Sequence, residues 1–301
     1  MEKVNTWLRV GIAWSVYPGV LVLGFVLQSL LLGIGQPLMV ASYGAAVLCS
    51  IVITVVELLY PARPEWRGGA REWGNDLIFM GVVQMLLPKV LSLLVVASIL
   101  EWVSSGPFTP TGFWPHLWPA VAQTALMLVV AEFFRYWMHR AFHQWTPMWS
   151  LHAVHHSPHK LYWLNVGRFH PIEKCIQFTV DTLPFILMGV KKEVLFMYLV
   201  FYAINGFFQH SNVNMRLGVL NYLISGPELH RWHHSTKIEE SNTNYGNNLI
   251  VWDLVFGTYF FPRDREVGEL GLLNRSYPDS FLAQMKTPFV KGLDKLGVER
   301  E

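Results

Sequence analysis

The sequence has 301 residues and a net charge of +2; 52% of its residues are hydrophobic, 15% are charged, and the mean hydropathy is +0.31. A soluble domain usually carries about a quarter charged residues. The apolar excess therefore predicts an integral membrane protein. The small net charge and the absence of a basic run argue against binding to nucleic acid.

Four apolar stretches are long enough to cross a membrane, for which a helix needs about 20 apolar residues. They are residues 10–33, 38–60, 77–100 and 117–138. Two weaker stretches follow within residues 172–210, and they contain charged residues and a short break. We therefore expect 172–210 to form a shallow helical hairpin rather than two full spans.

The charges of the loops predict the orientation of these spans. The loop 61–76 carries Arg63, Arg67 and Arg71, whereas the loops on the other side contain no Lys or Arg. Cytoplasmic loops of membrane proteins are rich in Lys and Arg. We therefore expect the N-terminus, this loop and everything after His139 to be cytoplasmic.

The remaining segments complete an all-α fold in this interpretation. Residues 139–171 and 211–301 are expected to form a helical cap on the cytoplasmic face. No repeat, low-complexity tract or linker interrupts the sequence. The chain is therefore predicted to be one membrane domain over residues 1–301, with about four spans, the hairpin and the cap.

Eight of the twelve histidines form three tight groups in the motifs HRAFH, HAVHH and HRWHH. On a helix, residues three or four apart share one face, with Cβ atoms about 5–6 Å apart. Eight buried imidazoles without a metal would leave polar groups unpaired, at about 1–3 kcal/mol each. The predicted metal ligands and catalytic residues are His139, His143, His152, His155, His156, His230, His233 and His234.

Eight ligands exceed the needs of one tetrahedral ion and suit two ions with room for oxygen or substrate. No thiolate lies near the histidine motifs. Neutral imidazole binds iron, zinc, copper or nickel. The spacing therefore predicts two metal ions and leaves their identity open.

Six motifs follow one another between Glu132 and Phe261, namely HRAFH, HAVHHS, NVGRFHPIE, PELHRWHHS, NYGNN and WDLVFGTYF. In this order they resemble the fatty acid hydroxylase/sterol desaturase superfamily. The segment YPDSFLAQMKTPF at 277–289 also resembles its bacterial members. The resemblance implies a helical membrane fold, a di-iron centre on the cytoplasmic side, and O₂-dependent attack on an unactivated C–H bond of a lipid.

The resemblance also implies two further ligands, His170 in the motif RFHPIE and His210 at the end of FFQH. Imidazoles that bind a metal usually donate their second N–H to a carboxylate or a carbonyl. Glu132, Glu173 and Asp253 are the predicted partners of this kind.

The predicted function is hydroxylation of a lipid of the fatty acyl or sterol and isoprenoid type, with two iron ions and O₂ as co-substrate. Zinc can take the place of iron in a purified sample. The sequence has no cysteine cluster, no CxxC and no GxGxxG, so the electrons must come from outside. The implied donor is a cytochrome b5, a rubredoxin or a ferredoxin with its reductase. The protein itself is expected in the bacterial inner membrane or the endoplasmic reticulum.

Three alternatives stay open at the level of the sequence. A lipid or sterol desaturase would use the same ligands. A dizinc lipid hydrolase would act without O₂. A metal transporter would need polar groups along several spans, and the first three spans have almost none.

Overall fold

The computed structural model describes residues 2–105 and 113–290, with side chains for 7–98 and 113–290. All regular elements in these ranges are helices, and the only β-type contacts there are three isolated bridges. The prediction of an all-helical chain is thus confirmed. The α-helices are α1 (Glu2–Gly33), α2 (Leu38–Leu59), α3 (Ala70–Ile78), α4 (Leu87–Ser105), α5 (Ala120–Gln144), α6 (Thr146–His156), α7 (Pro171–Asp181), α8 (Leu183–Leu187), α9 (Lys192–His210), α10 (Pro227–His233), α11 (Ile238–Ser241), α12 (Val251–Phe256) and α13 (Phe281–Gln284).

Three helical segments are long and apolar enough to cross a membrane, namely Trp7–Gly33, Leu38–Leu59 and Ala70–Ser98. The third continues from α3 through a π-helical segment, Phe79–Leu86, into α4. Pro88 follows this segment; because proline has no N–H to donate, it disturbs the regular α-helical ladder there. These segments agree with the first three predicted spans and support a membrane protein.

The fourth predicted span, 117–138, falls on α5. This helix is not among the three candidate spans, because polar residues such as Glu132 and Arg135 lower its hydropathy. Both side chains are buried inside the protein. Of the four predicted spans, three are therefore candidates by length and composition.

The predicted hairpin 172–210 consists of α7, α8 and α9. Pro184 begins the short helix α8, and Gly189 adopts a φ of 70° in the break before α9. That the three helices form a shallow hairpin stays a prediction.

The chain divides into two compact units, each assembled from three stretches of sequence. The first unit comprises residues 1–69, 158–166 and 195–271, and the second comprises 70–157, 167–194 and 272–301. Residues 211–290 contain only short helices and loops. The single domain over residues 1–301 and the cytoplasmic cap stay predictions.

Polar side chains inside the first unit connect its distant segments. The Tyr17 hydroxyl in α1 donates to the Asn205 side chain in α9 at 2.8 Å. Glu57, at the end of α2, accepts the backbone N–H groups of Trp163 and Asn212 at 3.0 and 2.6 Å. These contacts fix the segments on both sides of His210.

In the second unit, α5 packs against α6 and α7. The buried ion pair between Arg135 of α5 and Asp181 of α7 has a distance of 3.3 Å. Since an unpaired charge is costly away from water, this pair aligns the two helices. An apolar core beside them contains Phe79, Val83, Val154 and Phe169.

Candidate metal centre

Four histidines of the second unit converge from two successive helices. The last two turns of α5 carry His139 and His143, and α6 carries His152 and His156. Each offers a ring nitrogen that lies within 4.8 Å of the nitrogens of the other three, and all four residues are buried. The i, i+4 spacing on each helix therefore places four imidazoles around one point.

Glu173 of α7 orients one of these rings. Its Oε1 atom lies 2.8 Å from Nδ1 of His152, and Gln177 donates to the same oxygen at 2.9 Å. With the proton on Nδ1, Nε2 of His152 carries the lone pair. This Nε2 atom lies 3.0 Å from Nε2 of His139.

A second group of histidines lies in the first unit. It consists of His210 at the end of α9, His230 in α10, and His234 directly after α10, with ring nitrogens within 4.8 Å of one another. All three side chains are buried. The Nε2 atoms of His230 and His234 are 3.1 Å apart.

The orientation of His210 depends on an amide side chain. Nδ1 of His210 lies 2.8 Å from Oδ1 of Asn165. Because this amide oxygen can only accept, the Nδ1–H group of His210 donates the hydrogen bond. The Asn165 amide is itself held, because its Nδ2 donates to the carbonyl of Lys160 at 2.8 Å. Nε2 of His210 consequently carries the lone pair.

Two more of the predicted ligands are oriented by backbone carbonyls within their own units. Nδ1 of His155 lies 3.2 Å from the carbonyl of Arg168, and Nδ1 of His233 lies 2.8 Å from that of Thr243. Burial lowers the pKa of His233 to about 4, against the opposing effect of its hydrogen bond to Thr243. The ring is thus neutral at pH 7, as a metal ligand must be.

The two groups fit a metal ion by their chemistry. Both are buried and consist of imidazoles, the donors that suit divalent iron, zinc, copper and nickel. Each contains a pair of Nε2 atoms at 3.0 or 3.1 Å. Imidazole nitrogens this close together can bind the same ion.

The structure does not bring His170 into either group. Nδ1 of His170 accepts the backbone N–H of Ile172 at 3.2 Å and caps α7, so Nε2 carries the proton and donates to the carbonyl of Met285 at 3.2 Å. Burial lowers the pKa of His170, whereas the hydrogen bond to the Met285 carbonyl acts to raise it. Both ring nitrogens of a neutral imidazole are then used in hydrogen bonds, an arrangement that favours a capping role for His170 over the predicted role as a metal ligand.

Asp253 organises a loop instead of contacting a histidine. Its carboxylate accepts the backbone N–H groups of Tyr245 and Gly246 at 2.7 and 2.8 Å and the Thr258 hydroxyl at 2.7 Å. Burial raises the pKa of Asp253 to about 6, and these hydrogen bonds oppose the rise. A side chain at Gly246 would collide with the Leu249 carbonyl, so this tight loop requires glycine.

Glu173 is one of the three carboxylates predicted to support a ligand, and its Oε1 atom lies on the imidazole of His152. Glu132 is buried in α5 on the helix that carries His139 and His143. Its role stays a prediction.

Asn165, which contacts the predicted ligand His210, was not among the residues predicted from the sequence. It precedes His210 by 45 positions, and no helical periodicity links the two. Its signal was present in the motif NVGRFHPIE, where an amide stands in a largely apolar segment. The predicted ligand in that motif is His170.

Comparisons with known proteins agree with this site. The family model for fatty acid hydroxylase matches residues 124–258, a range that includes both groups of histidines. An ornithine lipid hydroxylase of Rhizobium tropici is 36% identical over 243 residues, which cover 79% of this chain and 72% of the relative. No solved structure matches the chain.

Two other relatives are matched over shorter ranges. The alkylglycerol monooxygenase of Homo sapiens is 30% identical over 128 residues, covering 42% of this chain and 28% of that protein. A very-long-chain aldehyde decarbonylase of Oryza sativa subsp. indica is 28% identical over 146 residues, covering 48% of this chain and 54% of that protein. The matched part of the chain thus spans between about a quarter and a half of these two relatives.

Apolar helices and buried imidazole groups define a membrane protein with histidine clusters that could bind metal ions. The chain belongs to the fatty acid hydroxylase family. It is an enzyme of the hydroxylase and monooxygenase class.

Proposed function

We propose that this enzyme hydroxylates a C–H bond in the acyl chain of a membrane lipid, using O₂ and two iron ions. The observation that carries the proposal is the pair of buried all-imidazole groups. The extended similarity to a protein named ornithine lipid hydroxylase supports a lipid carrying fatty acyl chains as the substrate class.

One ion would be held by His139, His143, His152 and His156, and the other by His210, His230 and His234. His155 and His233 are proposed as further ligands, because the bonds from Nδ1 to backbone carbonyls leave Nε2 with its lone pair. When bound, ferrous iron supplies the reduction of O₂. The overall reaction consumes one O₂, two electrons and two protons, and it forms one alcohol and one water from each C–H bond.

The residues of this chain contribute orientation and exclusion of water. Glu173 and Asn165 hold the tautomers of His152 and His210 through short hydrogen bonds. Partners of this kind usually change metal affinity or activity about 10–100-fold when they are removed. Burial of the imidazoles keeps bulk water away from the reacting carbon.

The electrons are proposed to come from a separate carrier. The chain has only two cysteines, Cys49 and Cys175, and they lie far apart in the sequence. An internal iron–sulfur centre normally needs four such ligands. A cytochrome b5, a rubredoxin or a ferredoxin with its reductase is therefore the proposed donor.

We also propose that the chain crosses the membrane more than once, with α5 as a fourth span and the histidines on the cytoplasmic side. The arginines Arg63, Arg67 and Arg71 after the second candidate span support this orientation. A reporter fused after Gly69 and another fused at Glu301 should both be cytoplasmic. Reporters on opposite sides would contradict the proposal.

Lipid mass spectrometry of cells with and without the protein tests the proposed reaction. Cells with the wild-type protein should accumulate a lipid that has gained one oxygen atom. His139→Ala should abolish this product, because it removes one predicted ligand, whereas His116→Ala should retain it. An unchanged product with His139→Ala, or equal losses in both variants, would refute the assigned roles.

A further inference from the structure

An apolar patch is exposed on the first unit, apart from the metal centre. It is formed by a 3-10 turn, Gly218–Tyr222, and by α12. The two are connected because the Ile250 N–H donates to the Leu223 carbonyl at 3.0 Å. We define the apolar patch by its exposed side chains, Val219, Tyr222, Leu223, Leu254 and Val255.

The outward direction of these side chains is unusual for a surface that faces water. Val219 is 82% exposed and Val255 is 66% exposed. The polar Asn221, in the same turn, is buried and donates to Glu228 at 2.8 Å. The turn therefore presents apolar groups outward and keeps its amide side chain inside, the reverse of an ordinary water-exposed turn.

Aromatic and cationic groups border the apolar patch. Tyr222 stacks on Tyr259 with ring centroids 5.6 Å apart, and Nη2 of Arg263 lies 3.4 Å from the Tyr222 hydroxyl. Rings with one polar end are enriched at the boundary between lipid and water. A guanidinium there is suited to lipid phosphates.

The turn also packs directly on a candidate membrane span. The Arg216 N–H donates to the carbonyl of Ala13 in α1 at 2.8 Å. Gly218 has a φ of +55°, and a Cβ atom there would lie only 2.6 Å from the ring of Trp14. Ala13 and Trp14 both belong to the candidate span Trp7–Gly33.

From this continuity with α1 we propose that the apolar patch docks into a phospholipid bilayer. Val219, Leu223 and Val255 contact the acyl chains, and Tyr222, Tyr259 and Arg263 lie among the headgroups. The helix α10 with His230 begins shortly after the turn, so docking fixes this part of the unit against the membrane. The inference does not depend on which metal the histidines bind.

Site-specific quenching in lipid nanodiscs tests the docking on the full chain. The variants Val219→Cys and Val255→Cys carry a fluorophore in a Cys175→Ser background, where the remaining Cys49 is fully buried. Brominated acyl chains should quench both fluorophores several-fold more strongly than iodide in the water does. A matched Glu239→Cys variant, exposed in the same unit, should show the opposite preference.

Quenching of positions 219 and 255 by iodide as strong as at 239 would overturn the proposal. Protection from both quenchers would also overturn it, because another protein surface would then cover the patch. The wild-type chain provides a test without substitutions, since a lipid with a photoreactive acyl chain should label peptides containing 218–223 and 251–256. Labelling confined to other peptides would likewise contradict docking.

Discussion

Oε1 of Glu173 lies 2.8 Å from Nδ1 of His152, and both side chains are buried. This carboxylate belongs to α7, whereas the histidine belongs to α6. The bond therefore joins two helices and at the same time directs Nε2 of His152 toward His139. Glu173 is a positioning residue in this interpretation, since it acts on the metal through the imidazole.

Glu173→Gln should lower metal affinity or activity by about 10–100-fold, because a neutral amide is a weaker acceptor for the His152 N–H. The measurement is metal content after equilibration with a competing chelator. Asp181→Asn is the matched control, because Asp181 is a carboxylate of the same helix that pairs with Arg135. A control that loses as much metal as Glu173→Gln would indicate general destabilisation.

Asn165→Ala should weaken metal binding by the group containing His210, since the ring loses the acceptor that holds its Nδ1 proton. A decrease of about 10–100-fold in affinity is expected. Asn165→Asp keeps an acceptor oxygen and should retain more metal than Asn165→Ala. Asn221→Ala removes a buried amide that bonds to Glu228, and it should lower thermal stability with no change in metal content. Equal metal contents in the two Asn165 variants would refute the assigned role.

His170→Ala should destabilise the protein and leave the metal content unchanged. The substitution removes the cap of α7, which is worth about 1 kcal/mol, and the hydrogen bond to the Met285 carbonyl. His170→Asn should recover part of the stability, because asparagine is a good N-cap. The unfolding temperature and metal content of both variants are to be compared with those of His152→Ala. If His170→Ala lost as much metal as His152→Ala, the result would show that His170 is a metal ligand.

The sequence predicted those features that depend on local spacing. The groups HRAFH, HAVHH and HRWHH stand on or directly after helices, where the i, i+3 and i+4 positions share one face. The first three spans were predictable for a similar reason, because length and hydropathy suffice to recognise them. Periodicity and composition are properties of one segment and need no knowledge of its neighbours.

Contacts between distant segments could not be predicted in this way. The partner of His210 is Asn165, and the partner of Asp253 is the loop at Tyr245 rather than a histidine. The capping role of His170 also has a local signal in the sequence, since Pro171 follows it directly. A residue before a proline at the first position of a helix is the natural N-cap. This local signal indicates a cap, whereas the resemblance of the motif RFHPIE implied a metal ligand.

Incubation of membranes containing the enzyme with ¹⁸O₂ and a reductant, followed by lipid mass spectrometry, tests the central proposal most directly. We predict a lipid alcohol carrying one ¹⁸O atom, formed only when both O₂ and the reductant are present and absent with His139→Ala. A product that has lost two hydrogens without gaining label would indicate a desaturase. Turnover that continues under argon would contradict an oxygenase and favour a dizinc hydrolase.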